Sequence, residues 1–201
     1  MLTAAAHLII IAKTHKGGRT MTYADSIQLR DGATLVIRSL EKRDAAATVF
    51  CFRKVAGETG FLLRETDECG VTIAQEEEII VRKAESPRET LLGVFDGEEL
   101  IGMAGLNAVG SLSRVRHRAS VGVSLVKAYW GRGIGTAMMR ALISLAKEAG
   151  YEQLELDVVE GNERAAVLYE KLGFETIGRI PHAMKYRDGS YADFLLMMMN
   201  L

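Results

Sequence analysis

From residue 26 onward the chain switches repeatedly between two hydrophobic spacings, and the switch points mark its elements. IQLRDGATLVIRSL reads as one strand ending near Leu40, and in EKRDAAATVFCFRKVAGE the positions Ala46, Val49, Phe50 and Arg53 recur at helical spacing. Residues 59–70, TGFLLRETDECG, break the periodicity, after which Thr72 precedes an acid-rich helix stopped by Pro87. ETLLGVFDGEELIGMAGLNAV predicts a hairpin turning at Asp96-Gly97, and in RHRASVGVSLV the residues Ala119, Val121, Val123 and Leu125 alternate with smaller or polar ones. Three successive strands with no helix between them are antiparallel neighbours, which excludes an all-parallel doubly wound sheet.

Ile134, Met138, Ala141, Leu142 and Leu145 then form one helical stripe that stops at Gly150. YEQLELDVV alternates through Leu154, Leu156 and Val158 as a strand, and NERAAVLYEKLGF returns to helical spacing between a natural N-cap, Asn162, and a natural C-terminal glycine, Gly173. A last hairpin turns at Asp188-Gly189 and runs out through Phe194, Leu196 and Met198 on one face. The order β α α β β β α β α β β predicts an α/β domain over residues 23–201: a mixed, mostly antiparallel sheet of about seven strands with helices on both faces.

Composition narrows the partners. Lys and Arg number 25 against 26 Asp and Glu, a formal net charge of −1, so the balance offers nothing to a nucleic acid or a membrane surface. The apolar run HLIIIA is far short of the ~20 residues a membrane span needs, and residues 1–22 are expected to be a poorly ordered extension, with Met21 opening a more ordinary sequence. Cys51 and Cys69 show no C-x-x-C or Cys/His spacing, and the four histidines make no ligand pair. Reduced thiols in a cytoplasm and no metal site are the plain expectation.

The stretch YWGRGIGTAMM, residues 129–139, places glycines at alternate positions just before a helix. Bare backbone N–H groups at a helix N-terminus suit a phosphate. Counted from Gly131, the last position of a G-x-G-x-x-G fingerprint is Thr136, and no lysine follows as a Walker A loop requires. What remains resembles the acetyl-coenzyme A loop of the GNAT superfamily of N-acetyltransferases, [QR]-x-x-G-x-[GA], in a W-G-x-G-I-G version with Trp130 where Gln or Arg is usual. Downstream, NERAAVLYEKLGFE resembles the same family's N-x-x-A-x-x-L-Y-x-K-x-G-F signature. The two together cover 119–175 strongly and the chain before residue 88 weakly.

The resemblance implies transfer of an acetyl group from acetyl-coenzyme A to a primary amine of a small molecule or a protein N-terminus. It also implies a twisted GNAT sheet with a V-shaped gap between the fourth and fifth strands, here 118–126 and 151–159. Leu125 and Val126 would meet the thioester through their backbone, Leu125 as an oxyanion donor. The amides of Gly131, Arg132, Gly133, Gly135 and Thr136 would cradle the pyrophosphate, and Asn162 would bond the pantetheine arm, cap its own helix, or do both. Tyr169 is the candidate general acid: a phenol with a reference pKa of ~10 stays protonated beside a thiol at ~8.5 and can protonate the departing thiolate.

A base is harder to place. Relatives often carry a glutamate near the position that is Ser120 here, which leaves Glu65 as base or acceptor contact, His117, or Asn107 holding a water. Arg64, Glu65, Asp67 and Glu68 belong to the segment that walls the acceptor pocket in this family. The basic cluster Arg114 to Arg118 reads as an exposed hairpin. A homodimer through the C-terminal strands is implied by resemblance alone. Two alternatives stay open: an inactive acyl-CoA-binding regulatory domain, and a transferase of longer acyl groups.

Overall fold

The structure is a computed structural model that describes residues 20–201. The extension expected over residues 1–22 therefore lies, up to residue 19, outside the described residues, whereas Met21 and Tyr23 pack against the main core. One eight-stranded sheet runs in the order β1-β2-β3-β4-β5-β6-β8-β7, with β1 at Ala24–Gln28, β2 at Thr34–Ser39, β3 at Thr90–Asp96, β4 at Glu99–Ala108, β5 at Arg118–Leu125, β6 at Gln153–Val159, β7 at Glu175–Lys185 and β8 at Tyr191–Asn200. All neighbours are antiparallel except β5 and β6.

The eighth strand corrects the expected count of about seven. Residues 24–39 are a hairpin rather than one strand, because Gly32 takes φ +88° and Leu29 closes a turn on Ala33 with the N–H of Leu29 donating to the carbonyl of Ala33 at 2.8 Å. Asp31-Gly32 is the same turn dipeptide that marks the two later hairpins.

The four helices divide between the two sheet faces. Helices α1 (Ala45–Glu58) and α2 (Ile73–Glu85) bury Ala45, Cys51, Val55 and Ile80 against Phe95, Leu100 and Met103. Helices α3 (Ile134–Glu148) and α4 (Glu163–Leu172) cover the other face, where Met138, Leu142 and Leu145 meet Leu35, Leu92, Leu106 and Leu154. In α1 the expected face is rotated: Ala45, Thr48, Cys51 and Val55 point inward, while Phe50 is 69% exposed. On β8 the core under α3 and α4 takes Leu195, Met197 and Met199, leaving Phe194, Leu196 and Met198 half-buried on the opposite face of the sheet.

The sheet is continuous but splayed at one place. Strands β5 and β6 pair only through Arg118 with Gln153, Ala119 with Leu154 and Ser120 with Glu155. Beyond Ser120, β5 stays on β4 as far as Leu125 opposite Gly102, and β6 stays on β8 as far as Val159 opposite Phe194. The two halves of the sheet therefore part at Ser120 and leave a wedge.

Candidate active site

Parity along each strand fixes what the wedge displays. The N–H of Val126 bonds the carbonyl of Ile101, and that of Val109 bonds the carbonyl of Arg118, so even-numbered residues of β5 bond to β4. The backbone groups of Val123 and Leu125 then face β6 across the gap. By the same rule, the N–H of Glu160 bonding the carbonyl of Asp193 turns the backbone of Asp157 and Val159 toward β5. Unpaired backbone groups on both walls are an incomplete ladder that a ligand with amide groups can complete.

Val126 does not share in this. Its N–H is held by Ile101 at 2.9 Å and its carbonyl accepts from the N–H of Tyr129 at 3.0 Å, so Leu125 is the last residue of β5 with a free N–H toward the gap. The carbonyl of Leu125 accepts from the Trp130 indole N–H at 2.6 Å. Trp130, where a polar side chain was the family expectation, thus ties the glycine loop to the end of β5.

Beyond Trp130 the chain turns through Gly131 at φ +75° and Gly133 at φ +84°, both in the left-handed region, and enters α3. The first intrahelical bond is from the N–H of Ala137 to the carbonyl of Gly133. The amides of Ile134, Gly135 and Thr136 therefore have no helical partner and sit at the positive end of the helix dipole. A Cβ at Gly135 would meet Leu168 Cδ1 of α4 at 3.1 Å, so this glycine lets the two helices close on each other. Arg132 turns its guanidinium away from the cleft, to Asp31 of the β1–β2 turn and over the Tyr129 ring.

A cleft of about 1130 Å³ joins these parts, lined by Leu125, Gly131, Gly133, Gly135, Thr136, Asn162 and Tyr169 among others. Asn162 caps α4 by accepting from the N–H of Ala165 at 3.3 Å, which leaves its amide donors free. Tyr169 is 6% exposed, with its ring edge-on to Phe174 at 5.8 Å. No side chain among the described residues bonds its hydroxyl, and none of their buried side-chain polar atoms is orphaned, so the hydroxyl opens to the cleft. Burial pushes its pKa up to about 12. It is a protonated donor throughout the neutral range.

The proposed bases are placed elsewhere. Glu65 is not brought to the cleft: it caps the short turn 66–68 and lies 3.8 Å from Arg187. Asn107 accepts from the buried ammonium of Lys83, and His117 precedes β5, at the end of the strand opposite the wedge. Five charged residues that sequence reasoning did not single out line the cleft: Glu76 on α2, Asp157 on β6, and Glu163, Arg164 and Lys171 on α4. Burial raises the pKa of Glu76, with Arg64 and Lys83 opposing, and burial with help from Glu155 raises that of Asp157. The Arg164 guanidinium stacks over Trp130 at 5.1 Å and lies 3.7 Å from where a Gly131 Cβ would stand. A cation in the first turn of a helix opposes the dipole, and that misfit was the readable sign of Arg164.

A mixed sheet wedged open at its one parallel pair among the described strands, with a glycine-rich helix N-terminus at the mouth, defines the acetyltransferase architecture. The family model for the acetyltransferase (GNAT) family matches residues 59–174, and the chain belongs to that family. The N-alpha-acetyltransferase RimI of Mycobacterium tuberculosis is 32% identical over 98 residues, 48% of this chain and 59% of that protein. The chain thus spans less than two thirds of the length of this curated relative. The crystal structure of a GNAT-family acetyltransferase from Streptococcus pneumoniae superposes with a TM-score of 0.80 at 28% identity, over 83% of this chain and 99% of that one. The structure of yncA from Salmonella typhimurium, solved with its cofactor acetyl-CoA, has a TM-score of 0.74 at 19% identity over 83% and 94% of the two chains. At that identity the second likeness shows the fold alone. Among the described residues no helix is long and apolar enough to cross a membrane.

Proposed function

We propose that the protein transfers an acetyl group from acetyl-coenzyme A to a primary amine by direct attack on the thioester. The observation that carries this reading is the convergence, in one cleft, of the β5–β6 wedge, the free amides at the start of α3 and the Tyr169 hydroxyl. The residues present suit the co-substrate. Amides of Gly131 to Thr136, with Arg164 beside them, match a pyrophosphate; the unpaired backbone of Val123, Leu125, Asp157 and Val159 matches the two amides of a pantetheine arm.

At the thioester the Leu125 N–H points into the gap and can bond the oxygen on which charge develops as the amine attacks. Tyr169, protonated below about pH 12, gives its proton to the sulfur as the carbon–sulfur bond breaks. Asn162 holds the α4 end near the arm while capping the helix that carries Tyr169. Both cysteines are buried free thiols, which fits a reducing cytoplasm, and the exposed Ile177, Ile180 and Tyr191 at β7 and β8 fit a homodimer through these strands.

The test is thiol release from acetyl-coenzyme A in the presence of a panel of primary amines, with Tyr169→Phe beside the native chain. The expected outcome is turnover by the native chain and a loss of about 100-fold or more in the variant, with coenzyme A affinity within about twofold. Unchanged turnover in Tyr169→Phe removes the acid role. Coenzyme A binding without transfer to any amine favours the regulatory-domain alternative.

A further inference from the structure

The last residue of β5 is supported by a side chain from outside the strand. Even-numbered residues of β5 make the ladder bonds to β4, so Leu125 makes none, and beyond Ser120 the neighbouring β6 has parted from it. Its N–H, aimed at the developing oxyanion, is free, and its carbonyl accepts from the Trp130 indole N–H at 2.6 Å. Without that bond both backbone groups of Leu125 would be loose at a strand end, where backbone frays. Trp130 is itself anchored: its backbone N–H bonds the carbonyl of Lys127 at 3.1 Å, and the adjacent Tyr129 donates its hydroxyl to Asp96 at 2.8 Å.

The ring face of the same indole meets α4. The Arg164 guanidinium lies 5.1 Å from the ring centroid and beside Gly131. Among the described residues no carboxylate pairs with Arg164, although Glu163 precedes it in the first turn. The positive ends of α3 and α4 and this cation therefore gather around one corner of the cleft and repel one another. An anion seated on the loop amides reverses that balance. It draws Arg164 onto the loop, and the guanidinium, layered on the ring, holds the indole against Leu125.

We infer that Trp130 is a positioning residue: with Arg164 it couples occupation of the phosphate site to the alignment of the Leu125 N–H, so that the coenzyme's diphosphate raises the rate of transfer as well as the affinity. The inference rests on the acetyl-transfer reading and deepens it. Trp130 touches no reacting atom; it acts through the backbone of Leu125. Because α4 carries both Arg164 and Tyr169, one contact with the anion sets the oxyanion donor and the acid together. A thioester that has only the pantetheine arm meets the same gap and the same Tyr169, but a donor that is not held in place. Binding at the nucleotide end is thus used for orientation at the carbonyl.

The experiment uses the chain's single tryptophan, Trp130, as a reporter. Inorganic pyrophosphate titrated into the native protein is expected to change its emission saturably, and Arg164→Gln to weaken that binding about tenfold or more. With the best amine of the panel, pyrophosphate is expected to raise kcat on S-acetylpantetheine about tenfold in the native chain, and less than about twofold in Trp130→Phe and Arg164→Gln. On acetyl-coenzyme A, Trp130→Phe should lower kcat about tenfold with KM within about twofold, a split that a residue serving only to bind does not give. The emission titration and Arg164→Gln keep the inference open to refutation even where Trp130→Phe fails to fold. Pyrophosphate that binds by emission yet does not accelerate the native chain on S-acetylpantetheine overturns the coupling and leaves acetyl transfer standing. A Trp130→Phe loss confined to KM does the same. An emission that pyrophosphate leaves unchanged removes the anion from the loop and the inference with it. Thiol release from neither thioester with any amine overturns the acetyl-transfer reading as well.

Discussion

Gly133 stands at φ +84° immediately before α3, where an L side chain costs roughly 1–2 kcal/mol. Gly135 has no such constraint; its Cβ would press only on the mobile end of Leu168. Gly133→Ala should therefore lower stability by about 1–2 kcal/mol and weaken coenzyme A binding by displacing the free amides, while Gly135→Ala should stay within about 1 kcal/mol of the native chain. Denaturant titration and calorimetric binding measure both, and equal losses at the two positions would refute a backbone origin for the requirement at Gly133. The glycines were legible in the sequence because a left-handed turn into a helix is a local constraint that few residues satisfy. Glu76 and Asp157 were not. Each occupies an ordinary polar position on its own element, and only the folded chain shows that both line the same cleft.

At the scale of elements, α4 connects stability to chemistry, because the helix capped by Asn162 also carries Tyr169. Asn162→Ala should cost about 1 kcal/mol through the lost cap, and Asn162→Ser should recover most of it, since serine caps nearly as well. Thermal melting reads the cap, and the coenzyme A dissociation constant reads the carboxamide. If the serine variant regains stability but not affinity, the free amide donors contact the pantetheine arm; if it regains both, the residue serves as a cap alone. The cap and the closing glycine of α4 could be read from the chain because they are neighbours in sequence. The β1–β2 hairpin was missed although Asp31-Gly32 carries the same signal as the later turns: with Ile27 and Leu29 on one side and Leu35 and Ile37 on the other, the stretch also reads as one long strand. The α1 face was misjudged for a related reason. Ala45, Thr48 and Cys51 are small, so the inward stripe has less hydrophobic weight than the exposed Phe50.

Across the whole molecule, both cores hold acids that the folded state keeps neutral. Cys51, in the core under α1 and α2, has its thiol pushed from 9.0 up to about 12 by burial. On the other face burial pushes Tyr169 from 10.0 up to about 12, and burial with the nearby Asp25 does the same to Tyr23. In the unfolded chain these groups ionise near their ordinary values, so above pH 9 the unfolded state binds fewer protons than the folded one and stability falls with rising pH. The contribution is fully present below pH 9, starts to erode as the unfolded thiol titrates, steepens above pH 10 with the two phenols, and is gone once the folded groups titrate near 12. Lys83 works in the opposite sense: burial holds its pKa below 10.5, the folded state sheds that proton first, and stability gains through the window up to 10.5. Cys69, Tyr129 and Lys54, all raised as well, act with the three acids, so against Lys83 the net is a loss. Denaturant midpoints measured from pH 8 to 11 should therefore decline, with a later onset in Cys51→Ala and a shallower upper limb in Tyr169→Phe and Tyr23→Phe. Lys83→Met, which removes the opposing group, should steepen the decline. A Tyr169→Phe curve parallel to the native one would mean that the hydroxyl titrates freely in the cleft, and a phenol that ionises readily there would no longer be matched to hold its proton for the thiolate.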